Sequence, residues 1–171
     1  MSDHVLLNQV MGALTRAFPE LVIQAGACEP FYQAPKDGQC AMLFFREDFI
    51  RSLLHEMAHY CLAGDRRRQL DDFGYWYVPC GRTAAEQAQF EQAEVRPQAL
   101  EWIFCDSLGI PFQPSLDDFS GRPISPRFLE NLKHAYMEFQ EKLPPTAQRA
   151  LEGLTADVLA TPMHCMDSRG L

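Results

Sequence analysis

The stretch LLHEMAHYCLAG, residues 53–64, sets His55 and His59 four positions apart with Glu56 directly after the first. Four residues advance a helix by slightly more than one turn, so both imidazoles project from one face and can reach one cation. A carboxylate at this spacing is where metallopeptidases keep the general base for a metal-bound water. Two satisfied core histidines are the alternative. The setting, an amphipathic helix following a buried strand, favours the metal.

Two imidazoles seldom hold an ion alone, and the missing ligand can be a carboxylate, histidine or cysteine brought close by the fold. Glu91, Glu94 and Glu101 lie on roughly one helical face, since spacings of three and seven are near whole turns. A solvated acidic face is the ordinary reading of such a row. Glu94 is the favoured member, in a locally apolar, strained stretch just before Pro97. Cys61 and Cys80 are weaker candidates, and His134 and His164 read as structural or solvated.

Elements must carry these residues. CAMLFF, Cys40 to Phe45, predicts a buried strand; the motif helix then enters near Glu47 or Asp48, and Gly64 suits a left-handed exit. Thr83 followed by Glu86 is a capping box opening a second helix that runs to about Leu108. Pro97 should kink or break it and free the carbonyl near Ala93. Helical spacing also covers Val5 to Phe18 and Arg127 to Lys142, with a short helix past Pro144. Leu21 to Ile23 reads as a strand followed by loop, DRRRQLDDFGYWYVPCGR as an irregular loop, and TPMHCMDSRGL as a loose end. The fold class is therefore α+β: a mostly helical single domain, residues 1–171, around a small sheet, with the HExxH helix in a zincin-like local arrangement and a metal-site core at about 40–112.

A composition 47% hydrophobic and 22% charged belongs to a packed protein, and a net charge of −8 argues against broad nucleic-acid binding, which relies on lysine and arginine neutralising phosphates. No apolar run is long enough to cross a bilayer, and the start MSDHVLLNQVMGAL lacks secretory features, so the expected address is the cytoplasm. There the six cysteines stay reduced; none forms a CxxC pair, and most read as small buried hydrophobes.

HEMAHYCLAG, DFGYWYVPCGR and FEQAEVRPQALEWIFC, in that order and spacing, resemble the bacterial elongation factor P hydroxylases. The likeness spans roughly Phe45 to Phe112, with CEPFYQAP a looser match upstream; Cys80 departs from the polar turn-former expected in YVPCGR. The resemblance implies an enzyme that hydroxylates the lysine-derived side chain of elongation factor P after a β-lysyl group has been added. It also implies one divalent ion on His55, His59 and Glu94. Iron(II) suits that set, because two histidines and one carboxylate leave open positions for dioxygen and substrate. No organic cosubstrate is assigned, and neither nucleic acid nor membrane is an expected partner.

Within that reading Glu56 delivers a proton, orients a histidine or holds the helix, whereas a peptidase would use it as base. Asp71 and Asp72 can meet a cationic lysyl chain, with Tyr75 and Trp76 packing on its methylenes or charge; a buried aromatic cluster with solvated acids is the alternative. Two other functions fit the ligands alone: a zinc-dependent peptidase or other hydrolase, and a non-catalytic, metal-stabilised module binding a basic partner.

Overall fold

A computed structural model of the chain describes residues 3–75, 81–116 and 123–159. Among them, helix α1 (Asp3–Ala17) leads into strands β1 (Leu21–Ala27), β2 (Phe31–Gln33) and β3 (Ala41–Arg46). The rest is helical: α2 (Ile50–Leu62), short 3-10 turns at Arg67–Gln69 and Asp71–Gly74, then α3 (Ala84–Leu108), α4 (Pro126–Glu141) and α5 (Pro145–Leu159). The class is α+β, helices packed around one three-stranded sheet.

Strand order is β1-β3-β2, with β1 and β3 parallel and β2 antiparallel to β3. Because side chains alternate across a strand, Leu21, Ile23, Leu43 and Phe45 bury on one face while Val22 looks out from the other. The link from β3 to α2 is fixed at both ends. Glu47 takes a left-handed φ of 47°, and its backbone exchanges hydrogen bonds with the end of β1, Gly26 N–H to Glu47 O at 2.7 Å and Glu47 N–H to Ala27 O at 2.9 Å. The Arg46 N–H donates to Ser52 Oγ at 2.9 Å in the first turn of α2. The sheet thereby sets where the motif helix begins and which face it turns inward.

Several expectations change on contact with the fold. The segment read as loop after Ile23 contains β2, too short to show a period in the sequence. Helix α2 starts at Ile50 with Phe49 as N-cap, because Glu47 and Asp48 lie in the turn itself. Its exit uses an extended Ala63, φ −66°, whose N–H donates to His59 O, so Gly64 is not the left-handed residue. Helix α3 opens on the expected capping box but runs through Pro97 without a break. That proline is buried, and α2, α4 and α5 all pack along the helix, holding it across the missing hydrogen bond. The true stop is Gly109, left-handed at φ 67°, followed by the Ile110 N–H donating to Cys105 O. Of the described cysteines Cys61 and Cys105 are buried but Cys28 and Cys40 are exposed, so burial holds for half of them rather than most.

One core joins the layers: Val10 and Leu14 of α1, Leu43 and Phe45 of β3, Leu53 and Met57 of α2, Leu100 and Phe104 of α3, Phe128 and Leu132 of α4 and Leu154 of α5. Helices α1 and α5 meet tightly, since a Cβ at Gly153 would lie 3.0 Å from Ala17 Cβ and 3.5 Å from Ala13 O. Gly153→Leu should therefore destabilise the fold by about 1–3 kcal/mol, the usual range for overpacking. Urea unfolding measures it, and unchanged stability would contradict this close crossing.

Candidate metal centre

Helix α2 presents Arg51, His55 and His59 one turn apart, and α3 presents Glu94 and Glu101 two turns apart. The two stripes meet in opposite directions and alternate in charge. Arg51 Nη2 lies 2.9 Å from Glu101 Oε1, His55 Nδ1 3.0 Å from Glu101 Oε2, and His55 Nε2 and His59 Nε2 each 3.4 Å from an oxygen of Glu94. The two Nε2 atoms are 3.1 Å apart.

Those three donors fit a shared cation. One ligand atom from each of the three residues lies within 4.8 Å of the others, the two Nε2 atoms being 3.1 Å apart and each 3.4 Å from a different oxygen of Glu94. Neutral imidazoles with a carboxylate form a hard-to-borderline donor set suited to iron, zinc or manganese. The Glu94 side chain is 4% exposed and that of His59 11%, while His55 is 26% exposed, so the cluster opens to solvent on the His55 side.

Contacts beyond the three donors hold them in place. Buried Gln98 donates to Glu94 Oε2 at 3.4 Å and is itself pinned to the chain at Ser115, donating to its carbonyl at 2.7 Å and accepting its N–H at 3.0 Å. The Phe73 ring lies parallel to His59 at 6.3 Å between centroids and stacks on Tyr32 at 4.1 Å. Tyr75 meets His59 edge-on at 6.2 Å, with the Arg67 guanidinium 3.9 Å above its ring. The turn that supplies these rings is strained: Asp72 and Phe73 both adopt left-handed φ, 47° and 57°.

Electrostatics follow the ladder. Burial would raise Glu94, but the charge and hydrogen bond of His59, the charge of His55 and the hydrogen bond from Gln98 outweigh it and hold the carboxyl at about 2. Burial would likewise lower His55, yet the hydrogen bond to Glu101 and the charges of Glu94, Glu101 and Glu56 raise it to about 10. Glu56, half-buried, moves up, chiefly by desolvation and with Glu94 and Asp72 adding to it, against the pull of both histidines.

Of the residues singled out in the sequence, the fold joins His55, His59 and Glu94 in one group. Glu101 is buried too, one step outside that group on the far ring nitrogen of His55, and the row is not the solvated face that its composition suggested. Glu91 instead accepts from Ser125 Oγ at 2.7 Å, at the N-cap of α4. The Cys61 thiol points at Thr146 O, and His134 is exposed beside Glu138. In the 71–74 turn, Asp72 Oδ1 accepts the Tyr32 N–H and Asp71 Oδ1 the Ala34 N–H, each at 2.9 Å, and Asp71 also pairs with Lys36. Trp76, Cys80 and His164 lie outside the described residues. Gln98, Arg51 and Phe73 were not foreseen. For Gln98 the available signal was its position one turn after Glu94.

A family model described as elongation factor P hydroxylase matches residues 13–166. A curated protein of Haemophilus influenzae, named elongation factor P lysine hydroxylase, is 39% identical over 134 residues, covering 77% of this chain and 75% of its own length.

Two expected outcomes come from this geometry. With His55 raised to about 10, its ring carries a proton at neutral pH, and a cation must displace it. Raising the pH weakens the competition from protons for that nitrogen, so affinity should rise about tenfold per unit between pH 6 and 8, with about one proton released per ion. Calorimetry in buffers of different ionisation enthalpy reads the proton directly, and a flat profile would count against the charged ring. Asp72→Ala should cost about 1–3 kcal/mol, by orphaning the Tyr32 N–H, and is measured by denaturant unfolding.

Proposed function

The chain belongs to the elongation factor P hydroxylase family, and from that membership we propose that it hydroxylates the β-lysyl-lysine side chain of elongation factor P using one iron(II) ion held by His55, His59 and Glu94. The observation that carries the metal is the convergence of two imidazoles and one carboxylate, from two helices, with one ligand atom from each within 4.8 Å of the others. An HExxH helix completed by a carboxylate from a later helix is zincin-like in its local arrangement, and we assign it to oxidation rather than hydrolysis because of the family. When bound, iron in such a set supplies the redox chemistry that activates dioxygen for insertion into a carbon–hydrogen bond.

The chain's own groups then have these roles. His59 is held between Phe73 and Tyr75, which exclude water from one side of its ring. Glu56 is the group for proton transfer, since burial and its acidic neighbours keep its proton affinity above that of an ordinary glutamate. Asp71, Asp72, Tyr75 and Trp76 are the proposed contacts for the cationic lysyl chain. The support for this is the place of the 71–75 segment, whose Phe73 and Tyr75 lie against His59, together with a net charge of −8 that attracts a cation at long range. The protein would act in the cytoplasm with its substrate; among the described residues no helix is long and apolar enough to cross a membrane.

Iron-loaded protein given dioxygen, a reductant and lysyl-modified elongation factor P should add the mass of one oxygen to the modified lysine. His55→Ala, His59→Ala and Glu94→Ala should each lose the metal by more than the about 10–100-fold typical of a change outside the ligands, and lose the oxygen addition with it. Metal content by elemental analysis and intact mass of the factor check both. A loaded wild-type enzyme that leaves the factor's mass unchanged would overturn the proposal.

A further inference from the structure

His55 has two ring nitrogens facing opposite ways, Nε2 toward His59 and Glu94, Nδ1 toward Glu101. The partner on Nδ1 decides which nitrogen keeps a proton once a cation is bound, because a carboxylate there holds Nδ1–H and leaves the Nε2 lone pair for the ion. Glu101 is placed for this: its side chain is 4% exposed, Oε2 lies 3.0 Å from Nδ1, and Oε1 is gripped by Arg51 through Nε at 3.1 Å and Nη2 at 2.9 Å. Arg51 in turn hydrogen-bonds the Gln113 carbonyl and lies over the Phe112 ring, 5.6 Å from its centroid, which ties the carboxylate to the chain leaving α3.

We propose that Glu101 and Arg51 are positioning residues, the carboxylate fixing the tautomer and orientation of His55 and the guanidinium fixing the carboxylate. This rests on the metal site proposed above. Because Glu101 points away from the shared space of His55, His59 and Glu94, it acts through His55 and is not a fourth ligand. A structural ion pair between α2 and α3 would use the same two side chains, so the two roles must be separated by measurement.

The test follows metal, not turnover. Cobalt(II) and iron(II) affinity are measured by competition with a chromophoric chelator, the cobalt visible spectrum reports the ligand field, and thermal melting of metal-free protein reports the fold. Glu101→Gln, which keeps the shape, should weaken both affinities about 10–100-fold and shift the cobalt bands. In a His55→Ala background, the same change should weaken the residual affinity no further, because the residue it acts through is gone. Arg51→Met, at a partly exposed position, should give a smaller loss, several-fold, and it decides the matter if Glu101→Gln fails to fold.

Glu101→Gln with affinity within twofold of wild type and an unmoved cobalt spectrum would overturn the proposal, whatever its melting temperature, as would an Arg51→Met protein within twofold where that variant has to decide. Equal loss in the presence and absence of His55 would also overturn it, since the effect would then not pass through the ring. Wild-type protein that binds neither metal sinks this proposal together with the metal reading beneath it; Glu101→Gln binding normally while His55→Ala does not sinks this proposal alone.

Discussion

Two carboxylates inside a protein must find positive partners, and in this molecule that requirement organises the centre. Glu94 and Glu101 are each 3% exposed, and water cannot solvate them. They are matched by Arg51, His55 and His59 across the seam of α2 and α3, in the alternating order arginine, glutamate, histidine, glutamate, histidine. Sliding either helix by one turn would leave an end group of the seam without its partner. The seam therefore sets the register of the helix pair, and the same register gathers His55, His59 and Glu94 in one group. Fold and site are specified by one set of contacts, while the sheet below and α4 and α5 around α3 keep the pair from drifting.

Much of this was legible in the chain. The HExxH spacing places both imidazoles on one face, Thr83 and Glu86 announce the start of α3, and the apolar runs at Leu21 and Ala41 mark β1 and β3. What resisted reading has a common cause. Helix α3 touches α2, α4 and α5, so no single side of it is the buried one and its polar residues give no clean stripe. A seven-residue spacing tells that Glu94 and Glu101 share a face; it does not tell whether that face meets water or histidine. The strand β2 is three residues long, and Pro97 reads as a stop only when the helices that clamp it are out of view. Tertiary packing decides each of these, and a local pattern carries no trace of it.

Strain sits beside the site rather than in it. Asp72 and Phe73 both hold a conformation that side chains avoid, and Phe73 is buried against Tyr32 and His59. The stacking offsets the backbone cost. The consequence is that His59 is confined by a ring it does not bond to as well as by its polar contacts with His55 and Glu94, whereas His55 is held by polar contacts on both ring nitrogens. The two histidines of one motif are thus restrained in different ways.

The turn at Asp71–Gly74 has an effect at a distance from that chemistry. A border strand ordinarily offers its outward amides as a template on which a foreign chain can crystallise into the sheet, the seed of polymerisation between copies. At β2 the two outward amides, those of Tyr32 and Ala34, are already plugged by Asp72 and Asp71. That border is sealed by two carboxylates that take up both amides, Asp71 being held in turn by Lys36. Among the described residues, the β2 edge takes no further strand because the chain's own loop has closed the seat one would take.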